Sequence, residues 1–254
     1  MRKLFGRATL LVLASFFLAA GAFCLEFESK NRQASLLELY SSEGCSSCPP
    51  ADEWVSALKD HPGLWTEVVP VIFHVDYWDY LGWKDRFASY DFTERQKRHI
   101  ARVDKRGHLY TPYFVVDGNE WRDWYRYDSF PTFAMAGTGV LKVDIPNFKD
   151  NRYEIVFRPG SKRKRALEIH GAILGFGVTS EVKAGENRGR TLRHDFIVLN
   201  YQKSGMARAN GEYSGSLTLE IPAAFQAERF GFAVWVTEEG ETAPVQATGG
   251  YILW

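Results

Sequence analysis

The sequence predicts an α/β domain followed by an antiparallel domain that resembles a β-sandwich. Residues 35–137 alternate apolar, strand-like runs with helix-like segments, whereas residues 140–253 contain a series of short strand-like runs separated by turn signals. A Cys-x-x-Cys pair, Cys45 and Cys48, stands between the first predicted strand and the first predicted helix. These three observations place the candidate chemistry in the first domain.

The N-terminus has the pattern of a secretory signal. Basic residues precede an apolar core at residues 10–20, which is too short for a comfortable membrane span, and small residues at 20–22 fit a cleavage site. We therefore predict removal of residues 1–22, no stable membrane span afterwards, and a mature protein that is periplasmic or secreted. Disulfides form and persist in those compartments. Lipidation of Cys24 is one alternative, and an uncleaved anchor is another.

The charge of the chain excludes one class of partner. The chain carries 31 basic and 31 acidic side chains, and loss of the basic residues of the signal leaves the mature chain mildly acidic. Nucleic-acid-binding domains usually present a strongly basic face, so we expect no nucleic-acid partner. The dense basic run at residues 162–165 follows Pro159-Gly160 and is interpreted as a solvated turn.

The first predicted domain, residues 23–138, consists of alternating strands and helices. Residues 68–75 form a nearly continuous apolar run, as expected of a strand that is covered on both faces. The helix that follows the cysteines ends at His61-Pro62-Gly63. In chain order, the predicted elements are a strand at 36–40, a helix at 54–58, a strand at 68–75, an aromatic loop at 76–85, a helix at 91–103 and a strand after Pro112.

The second predicted domain, residues 139–254, follows a boundary near Gly137-Thr138-Gly139. Turn signals such as Asn210-Gly211 separate its strands in the rhythm of an antiparallel sandwich. Its strand-like runs lie at residues 140–145, 153–157, 167–176, 196–201, 214–221, 230–236 and 245–253. This half contains no evident catalytic constellation, and its isolated His170 and His194 are interpreted as structural.

The cysteine pair resembles the active site of thioredoxin-type proteins, in which a strand leads into a Cys-x-x-Cys and then into a helix. The N-terminus of such a helix favours the thiolate of the first cysteine. The resemblance implies that Cys45 is the nucleophile and that Cys48 resolves the mixed disulfide. Glu38, on the preceding strand, resembles the buried acid that helps to deprotonate the resolving cysteine. An acid at a strand edge facing water is the alternative.

A second motif resembles another part of the same kind of active site. In thioredoxin-like folds a cis proline before a strand packs against the disulfide, and Thr111-Pro112 resembles that loop in residue type and chain order. The neighbouring backbone pairs with an extended substrate in those folds, so Thr111 and Pro112 are predicted site residues. A trans proline at a strand entry is the alternative.

Polar and aromatic residues follow the second predicted strand. His74 and Asp76 lie where that strand ends, at the edge of a parallel sheet that faces the active site. His74 is a candidate for tuning the pKa of Cys45, for relaying a proton or for binding a metal with both cysteines, and a structural histidine is the alternative. The predicted peptide-binding wall beside the disulfide, for which core packing is the alternative, consists of Tyr77, Trp78, Tyr80 and Trp83.

Longer stretches of the chain resemble one family. The runs at residues 38–52, 73–85 and 110–112, with a further run at 185–190, are similar to a secreted bacterial family called DUF1223. The resemblance covers most of the mature chain and implies a thioredoxin-like domain followed by a β-rich domain. It implies no established reaction or substrate.

Together these features predict an extracytoplasmic thiol-disulfide oxidoreductase. Its expected partners are protein or small-molecule thiols and disulfides and a redox partner protein, and no cofactor is expected. One alternative is a copper-handling protein with Cys45, Cys48 and His74 as metal ligands. The other is a non-catalytic secreted binding module in which the disulfide is structural. Pro49 and Pro50 support a structural disulfide, because they remove two backbone donors beside Cys48.

Overall fold

The computed structural model describes residues 25–103, 107–131, 137–145 and 150–252. The predicted signal peptide, residues 1–22, and Cys24 lie outside these residues. Within the described part of the chain, no helix is long and apolar enough to cross a membrane.

Strands dominate the structure. Of the described residues, 45% lie in strands and 15% in helices. The helices are α1 (Pro49–Ser56) and α2 (Tyr90–Val103), with short 3₁₀ helices at Ala57–Asp60, Asp79–Leu81 and Trp124–Arg126. The strands, in chain order, are β1 (Leu25–Glu28), β2 (Ser35–Ser41), β3 (Val68–His74), β4 (Tyr113–Val116), β5 (Asn119–Glu120), β6 (Gly139–Ile145), β7 (Arg152–Pro159), β8 (Leu167–Phe176), β9 (Val178–Glu181), β10 (Thr191–His194), β11 (Ile197–Gly205), β12 (Ala207–Ala209), β13 (Glu212–Thr218), β14 (Arg229–Glu238) and β15 (Pro244–Ile252).

One eight-stranded sheet takes strands from both halves of the chain. Its order is β15-β14-β8-β11-β3-β2-β4-β5. β3 pairs in parallel with β2 and, through Ile72 opposite Ile197, with β11, and the other neighbouring pairs are antiparallel. Every side chain of β3 is buried. A buried strand needs hydrogen-bond partners along both edges, and β11, from the other half of the sequence, supplies a partner at one point of the second edge, where Ile197 lies opposite Ile72.

The predicted fold class is therefore wrong. We expected a thioredoxin-like α/β domain followed by a sandwich-like domain, but the described residues form three sheets, mostly antiparallel, with two α-helices. Several local predictions are confirmed, because residues 36–40 lie within β2, residues 68–75 contain β3 and residues 91–103 lie within α2. The alternation of strands and helices carried no information about which strand would pair with the free edge of β3.

A five-stranded antiparallel sheet shares an apolar core with the large sheet. Its order is β1-β6-β7-β13-β12. β6 alternates buried and half-buried side chains, as expected of a strand with one covered face. Between the sheets, Tyr153 of β7 stacks on Phe232 of β14 with ring centroids 4.2 Å apart. The third sheet is the two-stranded β9–β10 hairpin.

His170 has the contacts of a structural histidine. Its ring stacks on Trp235 at a centroid distance of 5.3 Å. Nδ1 lies 2.7 Å from the Tyr201 hydroxyl and Nε2 lies 3.0 Å from the Thr237 hydroxyl. Burial lowers the pKa of His170, so both ring nitrogens of a neutral imidazole are engaged within the core.

A buried ion pair joins α2 to β2. Arg95 donates two hydrogen bonds to the carboxylate of Glu38, at 2.7 and 2.9 Å, and His99 lies 3.2 Å from the same carboxylate. Burial alone would raise the pKa of Glu38, but the charge of Arg95 outweighs it and holds the pKa well below its usual range. The resulting stabilisation is complete above the ordinary glutamate pKa of about 4.3 and is lost as the pH falls below it.

Replacing Arg95 by methionine is expected to destabilise the protein by about 3–5 kcal/mol, because the buried Glu38 carboxylate would lose its charged partner and both hydrogen bonds from it. The measurement is the free energy of unfolding in denaturant at neutral pH. Arg98→Met, an exposed substitution on the same helix, is the control and should change stability by no more than about 0.5 kcal/mol. Equal effects of the two substitutions would contradict a stabilising role for the ion pair.

Candidate active site

The cysteines occupy the turn between β2 and α1. β2 ends at Ser41, and α1 begins at Pro49, directly after Cys48 and earlier than the predicted helix at 54–58. Proline is compatible with the first turn of a helix, where the N–H groups have no intrahelical partner. The N–H groups of Ala51 and Asp52 donate to the Cys48 carbonyl at 2.9 and 3.0 Å. Cys48 is thereby fixed at the N-terminus of α1.

The two thiols are chemically unequal. Only 1% of the surface of Cys45 and 0% of that of Cys48 is exposed. The Cys45 Sγ lies 3.1 Å from the Ser47 hydroxyl and 3.8 Å from the Thr111 carbonyl oxygen. A hydrogen bond from Cys48 outweighs burial and lowers the pKa of Cys45 to about 6, whereas burial raises the pKa of Cys48 well above its usual value. The environment of the pair therefore favours a thiolate on Cys45 and a protonated thiol on Cys48.

The loop before β4 lies against Cys45. The Thr111–Pro112 peptide bond is cis, and the Thr111 carbonyl is the one that faces the Cys45 sulfur. The indole Nε1 of Trp78 donates to the Thr111 hydroxyl at 2.9 Å. The structure therefore brings the predicted residue Thr111 to Cys45, with Trp78 hydrogen-bonded to Thr111 and Pro112 next to it in the chain.

The other residues of the predicted aromatic wall take separate positions. The Tyr77 hydroxyl donates to Gln96 Oε1 at 3.3 Å, and its ring lies 6.4 Å from that of Trp78. Trp83 donates from Nε1 to the Glu43 carboxylate at 2.7 Å and belongs to a neighbouring polar cluster. Tyr80 is 78% exposed. Trp78 is thus the member of the set that contacts the loop beside Cys45, and Tyr77 lies next to Trp78.

Asp76 and Glu38, two of the predicted site residues, form contacts that stabilise the fold. Asp76 accepts a hydrogen bond from the Thr93 hydroxyl at 2.6 Å, near the start of α2. Glu38 is engaged by Arg95, and among the described contacts no hydrogen bond joins it to a cysteine. The carboxyl group whose charge helps to raise the pKa of Cys48 is instead Asp52 on α1.

A loop from the second half of the chain covers the cysteine turn. This covering loop, residues 182–190, connects β9 to β10. Its Glu186 carboxylate accepts hydrogen bonds from both the backbone N–H and the hydroxyl of Ser46, each at 2.8 Å. Asn187 donates from Nδ2 to the carbonyls of Glu43 and Cys45, each at 2.9 Å. The covering loop therefore holds the turn in place.

A buried polar cluster adjoins the turn. His74 Nδ1 lies 2.7 Å from Asp85 Oδ2, and His194 Nε2 lies 3.0 Å from Glu43 Oε1. The Glu43 N–H also donates to Asp85 at 2.9 Å, and the two imidazole rings lie 5.1 Å apart. Burial alone would lower the pKa of His74, but the charge of Asp85 raises it to about 9. The cluster links β3, the cysteine turn and β10.

Three described side chains of this region are placed to hold a metal ion. Asp52, His74 and His194 each offer one ligand atom, and these atoms lie within 4.8 Å of one another. The group contains neither Cys45 nor Cys48. His74 therefore lies with a carboxylate and a second imidazole, and not with the sulfur ligands of the copper-handling alternative.

Sequence reasoning missed several residues of this site. Asp52 carried one usable signal, its spacing of four residues from Cys48, which places the two on one face of a helix. Glu186 and Asn187 lay in a run that resembled DUF1223, but nothing in that run indicated contact with the cysteines. His194 was interpreted as an isolated structural histidine, because its neighbours in the cluster are distant in sequence.

Comparison with known proteins gives a family and two similar structures. The model of a family described as "Protein of unknown function (DUF1223)" matches residues 36–237. No curated protein matches the chain. The crystal structure of protein AGR_C_4864 from Agrobacterium tumefaciens is similar, with a TM-score of 0.58, 25% identity, and coverage of 85% of this chain and 92% of that chain. HBP35 of Porphyromonas gingivalis has a TM-score of 0.56 over 87% of this chain and 76% of its own, and at 11% identity it shows a likeness of fold alone.

The pKa of Cys45 should lie near 6 and should rise toward the ordinary cysteine value of about 8.5 when Cys48 is replaced by alanine, because the hydrogen bond that stabilises the thiolate is removed. Thiolate ultraviolet absorbance as a function of pH measures this value, in a Cys24→Ser background so that no third thiol contributes. A midpoint near 8.5 before Cys48 is replaced would contradict an activated Cys45.

Removing the Glu186 carboxylate should expose Cys45. In Glu186→Ala the Ser46 N–H and hydroxyl lose their acceptor, so the covering loop should open more often and alkylation of Cys45 by iodoacetamide should be several-fold faster. Glu181→Ala, which removes another exposed carboxylate from the same hairpin, is the matched control. Equal alkylation rates for the two variants would show that Glu186 does not restrict access.

Proposed function

The chain belongs to the DUF1223 family, and we propose that it is a thiol-disulfide oxidoreductase that acts outside the cytoplasm through Cys45 and Cys48. The observation that carries the proposal is the inequality of the two thiols. The pKa of Cys45 is lowered to about 6 and that of Cys48 is raised. An exchange reaction needs one thiolate to attack and a second thiol that stays protonated until it resolves the intermediate.

The reaction proceeds in two exchanges. The Cys45 thiolate attacks one sulfur of a substrate disulfide, so that a Cys45–substrate disulfide forms and the other substrate sulfur leaves as a thiolate. Cys48 transfers its proton to that departing thiolate and attacks the Cys45 sulfur, which releases the second substrate thiolate. The protein is then oxidised to a Cys45–Cys48 disulfide and the substrate is reduced by two electrons. The reverse sequence oxidises a dithiol substrate.

The surroundings of Cys45 support this chemistry. Hydrogen bonds from Cys48 and Ser47 stabilise the thiolate. The Thr111 backbone lies at the edge of the site, 3.8 Å from the sulfur. Beside it, a surface groove suits the side chains of a peptide that carries the disulfide, and its lining consists of Tyr110, Pro112, Phe114, Trp121, Arg122 and Trp124. Protein disulfides are therefore the substrates that we favour over small-molecule ones.

Access to Cys45 requires movement of its cover. With 1% of Cys45 exposed, a substrate sulfur reaches it only when the turn and the covering loop separate. The contacts between them at the surface are those of Ser46 with Glu186, both of which are exposed. Such contacts open at low free-energy cost compared with the buried core, whereas the hydrogen bonds from Asn187 to the turn are buried and hold the rest of the loop in place. Local opening at Ser46 and Glu186 therefore acts as the gate to the thiolate in the proposed function.

Location outside the cytoplasm fits the same chemistry. The expected signal peptide at residues 1–22 supports export, and an exported dithiol meets disulfide-bonded proteins as its substrates. A redox partner protein would then reduce or reoxidise the Cys45–Cys48 pair, so that the form that reacts with the substrate is regenerated.

Trapping of substrates should distinguish the two cysteines. In Cys48→Ser the first exchange still occurs but resolution does not, so disulfide-linked adducts should accumulate through Cys45. With both variants made in a Cys24→Ser background, the remaining thiol of Cys45→Ser is Cys48, which is fully buried and has a raised pKa, so it should form none. Non-reducing electrophoresis with mass spectrometry of the adducts is the measurement.

The reduction potential of the pair provides an independent criterion. We expect a value above about −300 mV, in the range of exchangeable disulfides. A value well below that figure, together with no adduct through Cys45, would mean that the disulfide is structural and would overturn the proposed function.

A further inference from the structure

We propose that Asp52, His74 and His194 form a binding site for a divalent first-row transition metal ion, with zinc the ion that fits best. The site is separate from the cysteine pair and does not depend on the proposed redox function. Its three ligands come from α1, the end of β3 and the end of β10. They converge so that one nitrogen or oxygen of each lies within 4.8 Å of the other two.

The atoms that would bind the ion are buried and have no other partner. Asp52, His74 and His194 are 5%, 0% and 1% exposed. Oδ1 of Asp52, Nε2 of His74 and Nδ1 of His194 have no hydrogen-bond partner. An unsatisfied buried polar atom is costly, and three in one place are rare in a folded protein. A shared metal ion would satisfy all three at once.

The second nitrogen of each histidine is already oriented by a carboxylate. His74 Nδ1 lies 2.7 Å from Asp85, and His194 Nε2 lies 3.0 Å from Glu43. Metal-bound histidines commonly have such a carboxylate behind them, because it fixes the tautomer and the direction of the ring. Here the carboxylates leave His74 Nε2 and His194 Nδ1 as the available ligand atoms.

The charge of the cluster also favours a cation. Three carboxyl groups, those of Glu43, Asp52 and Asp85, surround two imidazoles. Among the described residues, no lysine or arginine forms an ion pair with any of the three. Buried carboxylates are stable only when a positive charge compensates them. The Asp85 carboxylate is already compensated by His74, whose pKa it raises to about 9, so a divalent ion would displace the proton on His74 Nε2 and would also compensate Asp52.

A path to the site exists at the surface. A groove reaches Asp52 and His194, with Glu53, Lys59, Arg190 and Arg193 along its walls. The cations of the groove are engaged: Lys59 pairs with Asp195, Arg190 donates to Asn187 and Arg193 pairs with Glu228. Lys59 and Arg193 therefore add little repulsion toward an approaching metal ion, whereas Arg190, whose partner is an uncharged amide, keeps its positive charge.

The ligand types select the class of ion. Two imidazole nitrogens and one carboxylate oxygen suit zinc and its neighbours, whereas calcium and magnesium prefer oxygen ligands alone. Three protein ligands leave a position for water, as in zinc sites that are not closed by a fourth side chain. The expected complex contains no metal–sulfur bond.

Zinc binding to the full chain tests the site. Reduced protein is equilibrated with zinc, separated from free metal and analysed for metal content, and its affinity is measured against a chromophoric chelator. We expect about one zinc per chain, and the same value for a Cys45→Ser/Cys48→Ser variant. Asp52→Asn and His194→Gln should each weaken binding by at least about tenfold, whereas the exposed histidine variant His108→Ala should not change it.

Cobalt provides a readout that does not depend on the folding of the ligand variants. Cobalt-loaded Cys45→Ser/Cys48→Ser protein should show the visible bands of four-coordinate nitrogen and oxygen ligation and no sulfur charge-transfer band. Absence of retained zinc and of these bands would overturn the proposal. So would loss of binding in the cysteine variant with normal binding in Asp52→Asn, because the thiols would then be the ligands.

The outcomes for the two proposals are separable. A zinc site that persists in the cysteine variant, with no adducts trapped by Cys48→Ser, would support the metal site and overturn the redox function. Trapped adducts with no bound zinc would support the redox function and overturn the metal site.

Discussion

β11 enters the large sheet beside β3 through a short parallel contact, in which Ile197 lies opposite Ile72 and the Ile72 N–H donates to the Phe196 carbonyl at 2.9 Å. β3 is buried along its whole length, so the backbone groups on its second edge need partners within the protein. The residues just before β11 are consequently held next to the end of β3. His194 comes to lie with its ring 5.1 Å from that of His74.

The same pairing brings the second half of the chain over the cysteines. β9 and β10 precede β11 in sequence, and the loop that connects them reaches the turn between β2 and α1. Asn187 then binds the carbonyls of Glu43 and Cys45, while His194 binds the Glu43 side chain. The cysteine turn is therefore fixed from one side by its own helix and from the other by a hairpin that is more than 130 residues away in sequence.

The two thiols and the buried cluster share this scaffold but differ in chemistry. At the turn, hydrogen bonds stabilise a thiolate on Cys45, while burial keeps Cys48 protonated. In the cluster, paired carboxylates orient two imidazoles toward Asp52. Asp52 lies one helical turn after Cys48, so an ion bound there would sit close to the Cys48 thiol without ligating it. The thiol pair and the proposed metal site thus occupy neighbouring positions of one fold.

The sequence by itself determined the local features, namely the secondary structure of several segments and the position of the cysteine pair, because these depend on residues that are neighbours along the chain. Apolar runs predicted β2, β3 and α2, and the Cys-x-x-Cys spacing predicted a thiol pair at the start of a helix. β9 and β10 escaped prediction because each is four residues long with few apolar side chains. The fold class was wrong for a related reason, since no local pattern indicates which strand will pair with a free edge.

Only the tertiary structure decided which polar residues lie at the candidate site and which form contacts that stabilise the fold. Glu38 looked like an acid for Cys48, yet Arg95 of α2 lies closer to it and engages its carboxylate. Glu186 and His194 carried no functional signal in sequence, and the fold brings them to the turn and to its neighbouring cluster. The physical reason is that hydrogen bonds and ion pairs act over a few ångströms in space, whereas spacing in sequence fixes such distances only within a single helix or strand.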